Sequence, residues 1–167
     1  LIDGNSLLFR MFYGIREMSN SKGIPTNALY GFVNILYKID TQYHPDAMAV
    51  AFDLPEPTFR HQKYDEYKAG REKMPEDLVA QLPLIKELLT KMGIKVISLS
   101  GYEADDIIGT ISRIGEEEGM DVEIITGDRD SFQLVSDGVH ILYTTTRSGN
   151  QFTVVDPEYI DEKYGVR

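Results

Sequence analysis

Short apolar runs alternate with stretches of helical period, and several of those runs end in an acid. Leu1-Ile2 leads into Asp3, Met48-Ala49-Val50-Ala51-Phe52 into Asp53, and Val122 to Thr126 through Gly127 into Asp128. Asp46 to Phe52, Lys95 to Leu99 and Val122 to Thr126 read as strands. Between them, Ser6 to Tyr13 reads as a short helix. Thr26 is placed to cap a long helix reaching about Tyr43, with Leu29, Val33, Leu36 and Tyr37 on one face. Pro75 suits a first helical turn. Leu78, Leu82, Ile85, Leu89 and Met92 then step by four, three, four and three, and Gly93 ends the run.

A further helix is expected from Glu103 to about Gly119, with Ile107, Ile108, Ile111 and Ile114 inward, and a short one from Asp130 to Leu134. His140 to Tyr143 and Phe152 to Val155 bracket Thr144 to Asn150 as a β-hairpin, and Asp156-Pro157 caps a last helix to Tyr164. Alternation of this kind implies an α/β fold, a mostly parallel sheet with helices on both faces. With 167 residues, the chain is read as a single domain.

In such a sheet the working site lies beyond the carboxyl ends of the strands. Asp3, Asp53 and Asp128 fall there, and Glu103-Ala104-Asp105-Asp106 and Asp128-Arg129-Asp130 bring further acids to the same edge. Each has a local alternative. Asp3 can cap a helix, Glu103 to Asp106 can complement a helix N-terminus, and Asp128 and Asp130 can form a turn beside Gly127. Their convergence is what favours a site. Packed carboxylates raise one another's pKa values, and divalent cations with oxygen ligands neutralise them. Several carboxylates without His or Cys match metal-assisted phosphoryl transfer. Glu116-Glu117-Glu118 reads instead as a solvated helix face.

The chain has no cysteine, which excludes disulfides and thiolate metal sites, and its three histidines are scattered. No apolar run reaches membrane-spanning length, no signal peptide is visible, and the chain opens inside a strand without Met, as an excised segment would. A net charge of −10 argues against a polyanionic partner until its distribution is considered. Glu103 to Asp137 holds eleven acidic and two basic residues, whereas Arg60 to Lys73 holds five basic and three acidic ones. That second stretch leaves a strand end just after Asp53, so it can overhang the acids. In a helix, Tyr64, Lys68 and Arg71 would share a face, with the cations on phosphates and a tyrosine on a base. A solvated polar loop is the alternative.

These pieces, taken together and in order, resemble one family. Leu-Ile-Asp-Gly-Asn-Ser at the start, Phe52-Asp53 with Thr58-Phe59-Arg60, Tyr67-Lys68-Ala69-Gly70-Arg71, Gly101-Tyr102-Glu103-Ala104-Asp105-Asp106 and Thr126-Gly127-Asp128-Arg129-Asp130 are similar to the 5′→3′ exonuclease domain of bacterial DNA polymerase I, within the flap endonuclease family. The resemblance implies a PIN-like (resolvase-like) fold and two Mg²⁺ or Mn²⁺ ions. Asp3, Asp53, Glu103 and Asp105 would surround the first ion. Asp105, Asp128 and Asp130 would surround the second, with Asp106 adjacent. Gly4 would line the floor.

The resemblance also makes residues 54–75 an arch. Lys68 and Arg71 would be its catalytic basic pair, and Arg60, Tyr64 and Tyr67 would join them in contacting DNA. The partner implied is DNA with a 5′ end or a 5′ single-stranded flap, bound by a monomer in the bacterial cytoplasm, away from membranes. A helix–hairpin–helix element, where K⁺ would bind, belongs after the point at which this chain stops. Its absence implies an incomplete second site, and weak or no activity is expected of the fragment. The competing readings are a non-catalytic DNA-structure-binding module, a PIN-type ribonuclease, and a phosphoacceptor receiver domain. The last would want paired acids after the first strand and a late strand-end Lys, neither of which is present.

Overall fold

The computed structural model describes residues 1–63, 73–144 and 152–166. The strands are β1 (Ile2–Asp3), β2 (Ala49–Ala51), β3 (Lys95–Ile97), β4 (Val122–Thr126), β5 (Val139–Thr144) and β6 (Phe152–Val155). The helices are α1 (Gly4–Gly14), α2 (Asn27–Tyr43), α3 (Phe59–Lys63), α4 (Glu76–Lys91), α5 (Ala104–Glu117) and α6 (Pro157–Tyr164), with a 3-10 turn at Arg129–Leu134. The sheet order is β3-β2-β1-β4-β5-β6. β1 to β5 run parallel, and β6 lies antiparallel beside β5. The chain winds outward from β1 to β3, then returns to β1's other side with β4. That reversal opens a crevice at the carboxyl ends of β1 and β4.

Side chains alternate across the strands, so each face of the sheet has its own core. Ile2, Val50, Phe52, Ile125 and Leu142 meet Leu7 and Leu8 of α1, Phe32, Ile35 and Leu36 of α2, and Leu78, Ile85 and Leu89 of α4. Ala51, Ile124, Ile141 and Val155 meet Ile107 and Ile108 of α5, Phe132 of the 3-10 turn, and Tyr159 and Ile160 of α6. Each fully buried Leu, Ile or Phe contributes about 2 kcal/mol. Packing of these faces, more than helix propensity, therefore holds the layers.

Several boundaries and faces differ from those read in the sequence. α1 starts at Gly4 rather than Ser6, because Asp3 Oδ1 accepts the Ser6 N–H at 3.0 Å and caps it. α2 buries Ala28, Gly31, Phe32, Ile35, Leu36 and Ile39, while Tyr37 is 70% exposed. Leu29 and Val33 are only half-buried, and the buried face runs one position round the helix, through Phe32. Asn27 sets its rotation: the buried amide donates to Phe12 O at 2.9 Å and accepts from Gln81 Nε2 at 3.0 Å, tying α2 to both α1 and α4. A Cβ at Gly31 would lie 2.5 Å from Ile15 Cδ1, so α1 and α2 meet on that bare glycine.

Similar effects reach α5 and α4. Ser112 and Gly115 face inward on α5, and Ile114 turns to solvent. Met92 sits past the end of α4, half exposed, and Gly93 (φ 76°) ends that helix as expected. Glu116 is not part of a solvated face. Its Oε1 accepts from Ser136 Oγ at 2.6 Å and Gly138 N–H at 3.1 Å, fixing the turn into β5.

β5 and β6 pair as the expected hairpin, with Thr144 opposite Phe152. Its tip, 145–151, and residues 64–72 of the long connection lie outside the described residues. Among the described residues no helix is long and apolar enough to cross a membrane.

Candidate metal centre in an acidic cavity

Four separate segments deliver acids to the crevice. Asp3 ends β1 and is buried, with 4% of its surface exposed. Its Oδ1 is held by Ser6 N–H, and its Oδ2 accepts from Thr126 Oγ1 at 2.8 Å. The Thr126 hydroxyl oxygen in turn accepts the Asp128 N–H at 3.0 Å. Asp53, just past β2, donates its N–H to Asn5 Oδ1 at 2.8 Å, and its Oδ1 accepts from Ala104 N–H at 2.7 Å. Glu103 is the buried N-cap of α5, and Asp105 lies in that helix's first turn. Asp128 Oδ1 accepts from Asp130 N–H at 2.9 Å. The local roles weighed in the sequence are therefore real for Asp3 and Asp128, and they coexist with convergence.

Asp3, Asp53, Glu103, Asp105 and Asp128 line one cavity of roughly 740 Å³, together with Asn5, Ser6, Phe9, Arg10, Tyr13 and Lys73. Asp106 and Asp130 do not line it. Asp130 is exposed on the 3-10 turn. Asp106 accepts the Glu103 N–H at 3.0 Å and receives a two-pronged contact from Arg60, at 2.7 Å on each oxygen. Arg60 therefore faces acids of its own chain. Tyr64, Tyr67, Lys68 and Arg71 fall among the residues outside the description.

Arg10 was not anticipated. Its Nη2 donates to Gly127 O at 2.9 Å, its guanidinium lies 5.9 Å from the Tyr143 ring centroid, and its buried Nε has no hydrogen-bond partner among the described residues. A Cβ at Gly127 would meet the guanidinium at 2.3 Å, so a bare backbone seats it. The signal was present in the sequence: Asp3, Ser6, Arg10 and Tyr13 recur at helical spacing and all line the cavity. Gly4 is equally constrained. A Cβ there would stand 2.4 Å from the Phe52 ring and 2.8 Å from Ala51 O.

The electrostatics reflect crowding. Asp105 still reaches solvent, yet partial desolvation and then the charges of Asp3, Asp128, Asp53 and Glu103 raise its pKa to about 6. Burial raises that of Asp3, with Asp53 and Asp128 adding to the effect and the hydrogen bonds from Ser6 and Thr126 opposing it. Among the described residues no three acidic or histidine side chains are arranged to ligate an ion as they stand. Asp3, Asp53 and Asp128 each spend an oxygen on a backbone N–H instead. The donor set is nonetheless all carboxylate, which fits a hard divalent cation and not zinc-type N/S ligation. Magnesium keeps several waters and needs few direct protein ligands.

Comparison with known proteins agrees with this frame. The family model for the 5′-3′ exonuclease N-terminal resolvase-like domain matches residues 1–165. DNA polymerase I of Bacillus subtilis is 44% identical over 99% of the chain, which spans 19% of that protein. The thermostable DNA polymerase I of Thermus thermophilus is 42% identical over 100% of the chain and is likewise matched over 19% of its length. Among solved structures, T5 5′-exonuclease with bound zinc superposes with a TM-score of 0.72 at 23% identity, over 99% of this chain and 60% of that one. The catalytic core of Rad2 in complex with DNA substrate gives 0.56 at 21%, over 99% and 49%. At such identities the structural likeness speaks for the PIN-like fold. The match along nearly the whole sequence goes further: this chain belongs to the family of 5′-3′ exonuclease N-terminal, resolvase-like domains.

Proposed function

We propose that the chain is the catalytic portion of a 5′-nuclease that hydrolyses DNA phosphodiester bonds at 5′ ends or 5′ flaps, in replication and repair, as a monomer. One observation carries the reading: five carboxylates from four segments line a single cavity at the topological switch point of the sheet. Family membership and relatives named DNA polymerase I support it.

Asp3, Asp53, Glu103 and Asp105 would hold one Mg²⁺ or Mn²⁺ ion, and Asp105 and Asp128 a second, which Asp130, outside the cavity lining, would reach through water. Bound there, such ions supply Lewis acidity toward a phosphodiester. The chain's own groups do the rest. Asp3 is locked by Ser6 and Thr126, so its oxygens offer a fixed direction. Arg10 and Lys73 place positive charge on the cavity wall, where a phosphate needs it. Phe9 and Tyr13 stack at 6.4 Å between centroids, and Tyr13, 68% exposed, offers a ring face to a base. Lys68 and Arg71 would steer the scissile phosphate, with Tyr64 and Tyr67 alongside.

The test is incubation of 5′-labelled flap DNA with Mg²⁺ and the chain, alone and within any longer polypeptide that carries it. Cleavage that vanishes with Asp105→Asn or with chelator supports the reading. Cleavage unchanged by both, or flap DNA bound but never cut by the longer polypeptide, rejects it in favour of a binding module. Preferential cutting of RNA would favour the ribonuclease alternative.

A further inference from the structure

The stretch leaving β2 is fastened at its root to the stretch entering α5. Ser100 Oγ donates to Glu56 Oε2 at 2.5 Å. Phe59 N–H donates to Gly101 O at 3.0 Å, and the Phe59 ring lies 5.7 Å from that of Tyr102. The strongest fastening is the fork of Arg60 on Asp106, with both nitrogens at 2.7 Å from separate oxygens. The same guanidinium stands 3.6 Å from Glu103 Oε2. Its Cζ also rests over the Phe59 ring, 4.6 Å from the centroid. Arg60 keeps about a third of its side chain exposed, whereas Glu103 is nearly closed off.

Two facts separate Asp106 from the acids of the cavity, over and above a backbone bond of the kind that Asp3, Asp53 and Asp128 also make. It does not line the cavity. One of its oxygens already serves the Glu103 N–H, as the third residue of α5 serving the residue that caps it. Both oxygens are engaged by a planar fork, the strongest ion-pair geometry a carboxylate makes. An acid so occupied has little left to offer an ion. It has much to offer the element that carries Arg60, which is α3, the start of the basic connection.

We infer that Asp106 and Arg60 form a positioning pair. Asp106 seats Arg60, and with it α3 at the root of the basic connection, against the N-terminus of α5, so that α3 and the carboxylates Glu103 and Asp105 keep one fixed relation. Arg60 also screens Glu103 from its acidic neighbours. Neither residue lines the acidic cavity. The inference rests on the nuclease reading for its catalytic consequence and is independent of it for its structural one.

A double-mutant cycle with Arg60→Gln, Asp106→Asn and the double variant tests it. Asparagine keeps the oxygen that accepts from Glu103 N–H, so the cap of α5 survives. Two readouts are needed. Hydrogen exchange of the amides at Phe59 to Lys63 is expected to rise at least tenfold in each single variant, with the double no faster than the worse single. Turnover of flap DNA by the longer polypeptide is expected to fall about tenfold through kcat in each single, again without further loss in the double. Mn²⁺ affinity should change less than about threefold in all of them. Arg60→Lys keeps the charge but loses the fork, and it should recover less than half of kcat.

Additive losses would overturn the pairing. So would Asp106→Asn alone weakening Mn²⁺ binding tenfold while Arg60→Gln leaves it intact, since that is the signature of an ordinary metal ligand. If no DNA cleavage occurs in any form, the nuclease reading fails, and the exchange measurement still decides whether the pair holds α3.

Discussion

Thr126 and Asp3 lie 123 positions apart in the chain and share one hydrogen bond, Oγ1 to Oδ2 at 2.8 Å, in the interior of the sheet. The hydroxyl also accepts the Asp128 N–H. One side chain thus registers two acids from neighbouring strands. Thr126→Val keeps the shape and removes both bonds. Leaving a buried carboxylate oxygen short of a donor costs about 1–3 kcal/mol. Urea denaturation should show a loss in that range, and Mg²⁺ affinity should fall with it. Stability equal to that of the parent would mean that the bond contributes nothing net.

Asp105 links stability to pH. Its folded pKa of about 6 lies above the ordinary value of 3.8. Between these values the native state binds more protons than the unfolded chain, so this group's contribution to stability is lost as pH rises from about 4 to about 6. Asp3, also raised, acts in the same direction. With chelator present, Asp105→Asn should therefore gain stability relative to the parent as pH climbs through that window. The gain should shrink when Mg²⁺ is added near neutral pH. A difference between the two proteins that stays flat with pH would refute the crowding of the cavity.

Gly4→Ala isolates a steric limit. Within a helix this exchange ordinarily stabilises by about 1 kcal/mol. Here the new methyl would press on the Phe52 ring and Ala51 O, and overpacking costs about 1–3 kcal/mol or more. Net destabilisation is expected in a thermal melt, with a loss of metal affinity because Asp3 and Asn5 flank the shifted residue. A rise in Tm would show that α1 can slide away from β2 freely.

Glu116 and Glu117 are adjacent and should behave differently. Glu116→Ala frees Ser136 Oγ and Gly138 N–H and should cost about 1–2 kcal/mol. Glu117 makes an exposed pair with Arg113 at 3.3 Å, and Glu117→Ala should leave stability unchanged within error. Equal effects would show that the turn into β5 does not depend on its acid.

What could be read from the chain follows from how local each signal is. The alternation of apolar runs and helical stretches carries the parallel sheet, and the strand-end position of Asp3, Asp53 and Asp128 carries the cavity, because both depend on backbone periods that survive in any context. The α2 face was not legible: Asn27 and Gly31, a polar residue and a glycine, set its rotation through contacts with α1 and α4. Acids also look alike in sequence. Asp105 and Asp106 are neighbours, yet one faces the cavity and the other faces Arg60, and only the hundred-degree step of the helix separates them. The helical spacing of Arg10 with Asp3 and Ser6 is legible in the sequence, whereas its seat on Gly127 is not.

β1 is two residues long and lies between β2 and β4. Ile2 pairs with Val50 on one side and Ile125 on the other. A ribosome making this protein releases the central strand first and its second neighbour more than a hundred codons later. Until then Asp3 has no Thr126 to hold it and the crevice has one wall. Contacts so distant in the chain form late and slow the search for the native state. During synthesis, then, the acidic cavity stays open on one side until β4 docks beside β1.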